Sequence, residues 1–154
     1  WPGEKMVKHQ IKEHSNAGSP IITWGGREYY VEPPGWNERF GRHMTYEYKL
    51  LNYLVQGSAA DATKEAILRY HRHPGKRGRF LVTVYDEINV SSEPGETEKL
   101  RKAAAIHEMA VLRECMESIE FDVPLLTDGK WGLNWADVKK FPEGPSVWEM
   151  KNAA

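Results

Sequence analysis

Residues Leu81 to Ser91, Leu-Val-Thr-Val-Tyr-Asp-Glu-Ile-Asn-Val-Ser, limit the folds open to this chain more than any other stretch. An apolar, β-branched run leads into two adjacent carboxylates, Asp86 and Glu87, and an apolar alternation resumes at once. Strand signals on both sides of so short an interruption predict a hairpin with the acidic pair at its tight end. Nothing about a strand requires neighbouring negative charges between Val84 and Ile88. A solvated tip is one reading. A metal-binding tip is the other, because hard cations such as Mg²⁺ take carboxylate oxygens and substrate phosphates.

At 154 residues the chain can bury a core as one domain. It carries 21 Lys and Arg against 22 Asp and Glu, a formal charge of −1, so bulk charge predicts no nucleic-acid binding. Local charge differs. Arg69, Arg72, Lys76, Arg77 and Arg79, with His71 and His73 among them, cluster just before the hairpin, either as a solvated loop or facing phosphates. The single cysteine, Cys115, excludes an intrachain disulfide and suits a reducing, cytoplasmic compartment. No apolar run approaches the ~20 residues of a membrane helix, and no signal peptide is visible, so no membrane association is expected. Trp1 stands where an initiator methionine would, which predicts a chain processed or excised from a longer one.

Met6, Val7, Gln10, Ile11 and His14 recur at helical spacing and predict a helix over 4–14, stopped at Ser15-Asn16-Ala17-Gly18. Residues 20–32 read as a strand or hairpin broken at Gly25-Gly26, and Pro33 to Arg42 as a loop. A long helix is predicted over about 45–72, with Leu51, Val55, Ala59, Ala62, Ala66 and Tyr70 as one apolar stripe ending at Pro74-Gly75. Strands follow at about 80–85 and 88–92. A second helix, about 96–119, would bury Leu100, Ala104, His107, Val111 and Cys115, with His107 read as a core histidine sooner than a ligand. A last strand, 123–128, would precede Trp131, Trp135 and a polar tail. There is no internal repeat or low-complexity segment. These elements predict an α+β layer, a small and mostly antiparallel sheet whose hairpin is covered by two long helices.

Upstream of the hairpin lies Leu51-Asn52-Tyr53-Leu54-Val55-Gln56-Gly57-Ser58-Ala59-Ala60-Asp61. That motif, followed by Val-Tyr-Asp-Glu, resembles the palm of family A DNA polymerases, the group of bacterial DNA polymerase I and many phage replicases. Members carry Asn-x-x-x-Gln-Gly-(Thr/Ser)-Ala-Ala-Asp on a long helix and then His-Asp-Glu on a hairpin. Trp1-Pro2-Gly3 resembles the aromatic-Pro-Gly of the fingers, and Trp24-Gly25-Gly26-Arg27 the Phe-Gly-Arg-Arg turn. Val123-Pro124-Leu125-Leu126 and Gly132-Leu133-Asn134-Trp135 resemble the closing Val-Pro-Leu and Gly-x-Asn-Trp. The matches are collinear over nearly the whole chain. They imply a partial polymerase palm, with 1–44 as the end of the fingers and a connecting hairpin and loop, and 45–154 as the C-terminal half of the palm.

The resemblance implies roles for particular residues. Asp86 would ligate the two Mg²⁺ ions that clamp the attacking and leaving oxygens of an in-line displacement, and Glu87 would sit beside it, tuning a ligand or a bound water. Asn52 and Gln56, four apart on a face distinct from the Leu51 stripe, are either ordinary surface amides or donors to the minor groove. Every base pair offers acceptors there at nearly constant positions, so such donors would sense pair geometry without reading sequence. Gly57 and Ala59-Ala60 permit close approach of the helix to either DNA or the sheet. Tyr85 departs from the usual His that contacts the primer end, but it keeps a donor and an aromatic face. Tyr48 departs from a usual Arg, with Lys49 as the substitute charge toward phosphates, and Arg27 is a backbone contact.

The family's first metal-binding Asp, in an Asp-Tyr-Ser-type segment, and its nucleotide-gripping fingers helix have no counterpart in these 154 residues. The chain therefore reads as the C-terminal part of a template-directed DNA polymerase, inactive alone. Its expected partners are primer-template DNA, deoxynucleoside triphosphates and an N-terminal fragment or chain carrying the other aspartate and the fingers helix. Two other classes stay open. One is a degenerate palm kept as a DNA-binding or scaffold module. The other is a metal-dependent nuclease using Asp86, Glu87 and some of His71, His73 and His107, which lack a metal-ligand spacing.

Overall fold

Gly18 sits at φ +68° just past the first helix. The Gly18 amide donates to the Ser15 carbonyl and the Ser19 amide to the His14 carbonyl, the paired bonds with which a left-handed residue closes a helix C-terminus. The helix so ended, α1, spans Pro2–Asn16 in a computed structural model that describes residues 2–121 and 123–140. Trp1, the start of the aromatic-Pro-Gly match, and the polar tail from residue 141 onward lie outside the described residues. So does Asp122.

The chain continues through β1 (Ile21–Ile22), β2 (Glu28–Tyr29), β3 (Gly35–Asn37), β4 (Arg42–Met44) and α2 (Glu47–Arg72). It then forms β5 (Arg79–Val84), β6 (Glu87–Ser91), α3 (Glu98–Glu117), β7 (Lys130–Gly132) and β8 (Val138–Lys140). The α+β class is observed, but in place of one small sheet the described strands form four separate antiparallel pairs: β1–β2, β3–β4, β5–β6 and β7–β8. Thr97 caps α3, its hydroxyl accepting from the Leu100 amide.

Two compact units divide within α2, Trp1–Ala62 and Thr63–Ala154. In the first, Ile11, Ile21 and Leu50 are buried together, and Tyr29 stacks on Tyr53 at 5.2 Å between centroids. In the second, Tyr70, Val111, Leu112 and Cys115 form the core, with Ile88 and Val90 of β6 against it.

Four expectations are corrected. On α3 the predicted buried stripe included Leu100, which is 55% exposed, while Val111 and Cys115 of that stripe are buried. On α2 the predicted stripe held Leu51, Val55 and Ala59, yet Val55 is 59% exposed and Ala59 is exposed. The buried face there follows Leu50, Gly57 and Asp61, because Gly57 and Asp61 carry the turn described below. Pro33 to Arg42 is not a plain loop. Asn37 and Gly41 make a tight turn that lets Trp36 pair with His43. Residues 123–128 form no strand. Pro124 lacks an amide hydrogen, and Thr127 gives both its amide and its hydroxyl to Glu117 Oε1, at 2.9 and 2.6 Å.

Candidate catalytic hairpin and nucleic-acid interface

In the second unit, β5 and β6 pair from Arg79↔Ser91 to Val84↔Glu87, with an irregularity at Leu81. Two residues, Tyr85 and Asp86, make the turn, one position earlier than the Asp86-Glu87 tip the sequence predicts, and Glu87 pairs with Val84 at the start of β6. Tyr85 takes φ +56° and is 94% exposed. Left-handed backbone in a non-glycine residue costs on the order of 1–2 kcal/mol. Asp86 follows in the turn and Glu87 opens β6, both exposed. The Thr83 hydroxyl donates to the Glu87 carbonyl at 3.0 Å and closes the hairpin end. Every residue of β5 is exposed, Phe80, Leu81, Val82 and Val84 included. Of the two strands of this hairpin, β6 packs against the core, through Ile88 and Val90.

Asp86 and Glu87 are oxygen donors of the right kind for Mg²⁺. Their number falls short: among the described residues no group of three His, Cys, Asp or Glu side chains could hold a metal ion. The residues present therefore do not fit a complete metal site. The histidines do not join them either. His107 Nε2 lies 2.8 Å from the Gly75 carbonyl in a half-buried position, and His73 Nδ1 accepts from the Gly75 amide while its ring approaches Glu114. His71 is exposed. The basic cluster is partly neutralised. Arg69 binds Glu65 and Ser118, and Arg77 lies 3.7 Å from Glu93.

In the first unit, Asn52 and Gln56 are exposed on α2. The opposite side of the same helix segment holds the turn from Thr23 to Arg27. Asp61 Oδ2 accepts from the Thr23 hydroxyl at 2.5 Å and the Gly25 amide at 3.1 Å, and Oδ1 pairs with the Arg27 guanidinium at 2.5 Å. Arg27 also donates to the Gly57 carbonyl at 2.8 Å, and Ser58 accepts from the Trp24 amide at 3.0 Å. A methyl group on Gly57 would lie 2.7 Å from the Thr23 side chain, and one on Gly25 would lie 2.6 Å from the Asp61 carboxyl carbon. Gly57 thus serves close approach to the β1–β2 hairpin. Burial raises the Asp61 pKa, but the Thr23 hydroxyl, the Arg27 guanidinium and the Gly25 amide outweigh it and hold the carboxyl below its ordinary value.

Arg27 is therefore held in an internal ion pair. Lys49 is engaged as well, with its Nζ 2.7 Å from Glu32 and 4.3 Å from the Tyr46 ring centroid. The Glu32 hydrogen bond raises its pKa. Sequence reading gave no role to Ser58 or Asp61 individually. A Gly-Ser-x-x-Asp spacing on a helix, opposite a Thr-x-Gly turn, is the signal that could have found the clamp.

A family model described as DNA polymerase family A matches residues 2–137. DNA polymerase I of Chloroflexus aurantiacus is 31% identical over 149 residues, covering 94% of this chain and 15% of that protein. DNA polymerase theta of Caenorhabditis elegans is 29% identical over 143 residues, 90% of this chain and 8% of that protein. DNA polymerase I of Geobacillus stearothermophilus is 27% identical over 143 residues, with 90% and 15% covered. No solved structure matches. The chain spans at most 15% of the length of these relatives. With a family match reaching from α1 to the residue before β8, the chain belongs to DNA polymerase family A.

Proposed function

We propose that these residues supply the end of the fingers (1–44) and the C-terminal half of the palm (45–154) of a template-directed DNA polymerase. The observation that carries this reading is the exposed Asp86-Glu87 pair at the tip of a hairpin whose β5 strand leaves every side chain uncovered. Apolar strands left open in this way invite another segment to cover them. An N-terminal portion, in the same or another polypeptide, fits that need and would bring the second catalytic aspartate and the fingers helix. Asp86 offers one metal-binding carboxylate, Glu87 stands beside it, and Tyr85 meets the primer end. Asn52 and Gln56 face the minor groove of primer-template DNA as geometry-sensing donors. Lys49 exchanges Glu32 for a backbone phosphate, and Arg27 acts through the turn it anchors. Deoxynucleoside triphosphates are the second substrate.

Primer extension tests this. The purified chain should not extend a primer, and extension should appear when the N-terminal portion is supplied. In that assembly Asp86→Asn should lower extension by several orders of magnitude while primer-template affinity changes little, since backbone and groove contacts lie elsewhere. Glu87→Gln should cost far less. Extension by the chain alone would overturn the need for a second portion. Equally mild effects of both substitutions would leave a non-catalytic DNA-binding or scaffold palm, which Tyr85 in place of the usual His favours.

A further inference from the structure

The β3–β4 ribbon has no part in the hairpin, the groove-facing amides or the clamp, yet its tip is built with care. The Phe40 amide donates to both the main-chain and the side-chain oxygen of Asn37, each at 3.2 Å, and Gly41 takes φ +57° to return the chain into β4. Four residues, Glu38 to Gly41, form the loop between the paired Asn37 and Arg42. Such a loop holds its side chains with little freedom left to lose on binding.

Those side chains are unusual for a solvated tip. Trp36 is 59% exposed and Phe40 is 57% exposed. The Trp36 ring is braced edge-on by His43 across the ribbon, with centroids 5.4 Å apart. The Arg39 guanidinium lies 5.6 Å from the Phe40 centroid, on one side of that ring. From Gly35 to Met44 the ribbon carries Arg39, Arg42 and His43 against the single acid Glu38. Two fixed aromatic rings interleaved with two arginines match the chemistry of unpaired nucleotides. Bases stack on the rings without regard to sequence, and the cations meet the phosphates. Paired bases are already stacked on one another and offer no free face. We propose that this ribbon binds an unpaired stretch of template DNA, with Trp36 and Phe40 as stacking platforms and Arg39 and Arg42 on the backbone. The choice of template as the strand rests on the polymerase reading above.

The test uses the full chain and a fluorescent oligothymidylate of about a dozen nucleotides, a length within the usual site sizes for single strands. Trp36→Ala should weaken binding at least about 5-fold, the lower end of the effect of losing one base–aromatic stack. Trp36→Phe should restore most of the affinity, which separates lost stacking from a lost fold. Arg39→Gln and Arg42→Gln should each lower the slope of log affinity against log salt by about 0.7, the value for one phosphate on a single strand. Tyr30→Ala, an exposed aromatic outside the ribbon, is the control and should leave binding unchanged. Equal affinity of Trp36→Ala and the parent chain, or salt slopes unmoved by both arginine substitutions, would overturn the proposal. Primer extension in the assembled enzyme separates the two readings. Extension without oligothymidylate binding sinks the ribbon alone. Ribbon-dependent binding without extension sinks the polymerase assignment and leaves a single-strand-binding surface.

Discussion

The unit that ends at Ala62 buries Asp61 beneath the turn from Thr23 to Arg27, and the unit that begins at Thr63 buries Glu108 beneath the turn at Arg77 and Gly78. Both carboxylates stand on a helix, and both accept from the backbone amide of a glycine and from a hydroxyl. Glu108 is 2% exposed; its Oε1 takes the Tyr70 phenol at 2.5 Å, and its Oε2 takes the Gly78 amide at 2.8 Å and the Arg77 amide at 3.3 Å. Asp61 adds a guanidinium to its donors, whereas the hydrogen bonds to Glu108 come from neutral groups. A carboxylate can thus be kept inside by a counter-charge at the border of solvent or by a closed ring of neutral donors. The two solutions should fail differently, because removing a buried acceptor strands each donor that used it.

The largest effects are expected from removing each carboxylate. Glu108→Ala should cost about 3–5 kcal/mol in urea unfolding, since it strands the Tyr70 hydroxyl and the Gly78 amide at about 1–3 kcal/mol apiece. Asp61→Ala should cost about 2–4 kcal/mol, and Arg27→Met about half of that, because Asp61 keeps Thr23 and Gly25 when the guanidinium is gone. If Arg27→Met cost as much as Asp61→Ala, the counter-charge would be the whole of the first clamp and the contrast would sharpen. If Glu108→Ala cost less than 1 kcal/mol (roughly one ordinary hydrogen bond), the neutral ring would not be holding its turn.

A smaller and more selective effect lies in pH. Asp61 has a folded pKa below its unfolded one, so its contribution is present above about pH 4 and lost as pH falls through the folded value. Tyr70 moves the other way. Burial first, and then the bond to Glu108, push its phenol above its ordinary value, so its contribution is present below about pH 10 and lost as pH rises through the folded value. Acid should therefore loosen the first clamp and alkali the second. Melting-temperature profiles should show Asp61→Asn flattening only the acid limb and Tyr70→Phe only the alkaline one. A flattening of both limbs by either substitution would mean that the two clamps do not act independently.

The smallest expected effect is a silence. Cys115 is buried in the second core, and burial pushes its thiol up to about 11, so alkylation near neutral pH should be slow in the native chain. Glu108→Ala should speed labelling of Cys115, and Asp61→Ala should leave it unchanged. Faster labelling in both would show that the first clamp also guards the second core.

How much of this was written legibly in the sequence depends on whether a neighbour in sequence or a neighbour in space decides the outcome. The end of α2 was readable because Pro74-Gly75 acts locally. The hairpin was readable because strand signals abut it on both sides, though its turn falls on Tyr85-Asp86 and not on the acidic pair. The face that α2 buries was not, since Gly57 and Asp61 look like polar or spacer positions until Thr23 and Arg27, some thirty residues earlier, come against them. The strand expected at 123–128 was misread because Val-Pro-Leu-Leu is apolar, while Thr127 is captured by Glu117 from the preceding helix. The ribbon was hidden by its lack of alternation, with only Asn37 and Gly41 as turn signals. Of the candidate site, residue types at the tip were visible. That no further described ligand converges on them is a fact of three dimensions.

Tyr85 carries a consequence for anyone who would improve this chain. Its left-handed backbone is a cost that glycine or asparagine would not bear. A campaign selecting on melting temperature alone should therefore arrive early at this position and replace the tyrosine, at the summit of the hairpin beside Asp86. The substitution would look like a gain in every screen that heats the protein, and, if Tyr85 meets the primer end as proposed, only a screen that supplies primer and template would register what had been traded away.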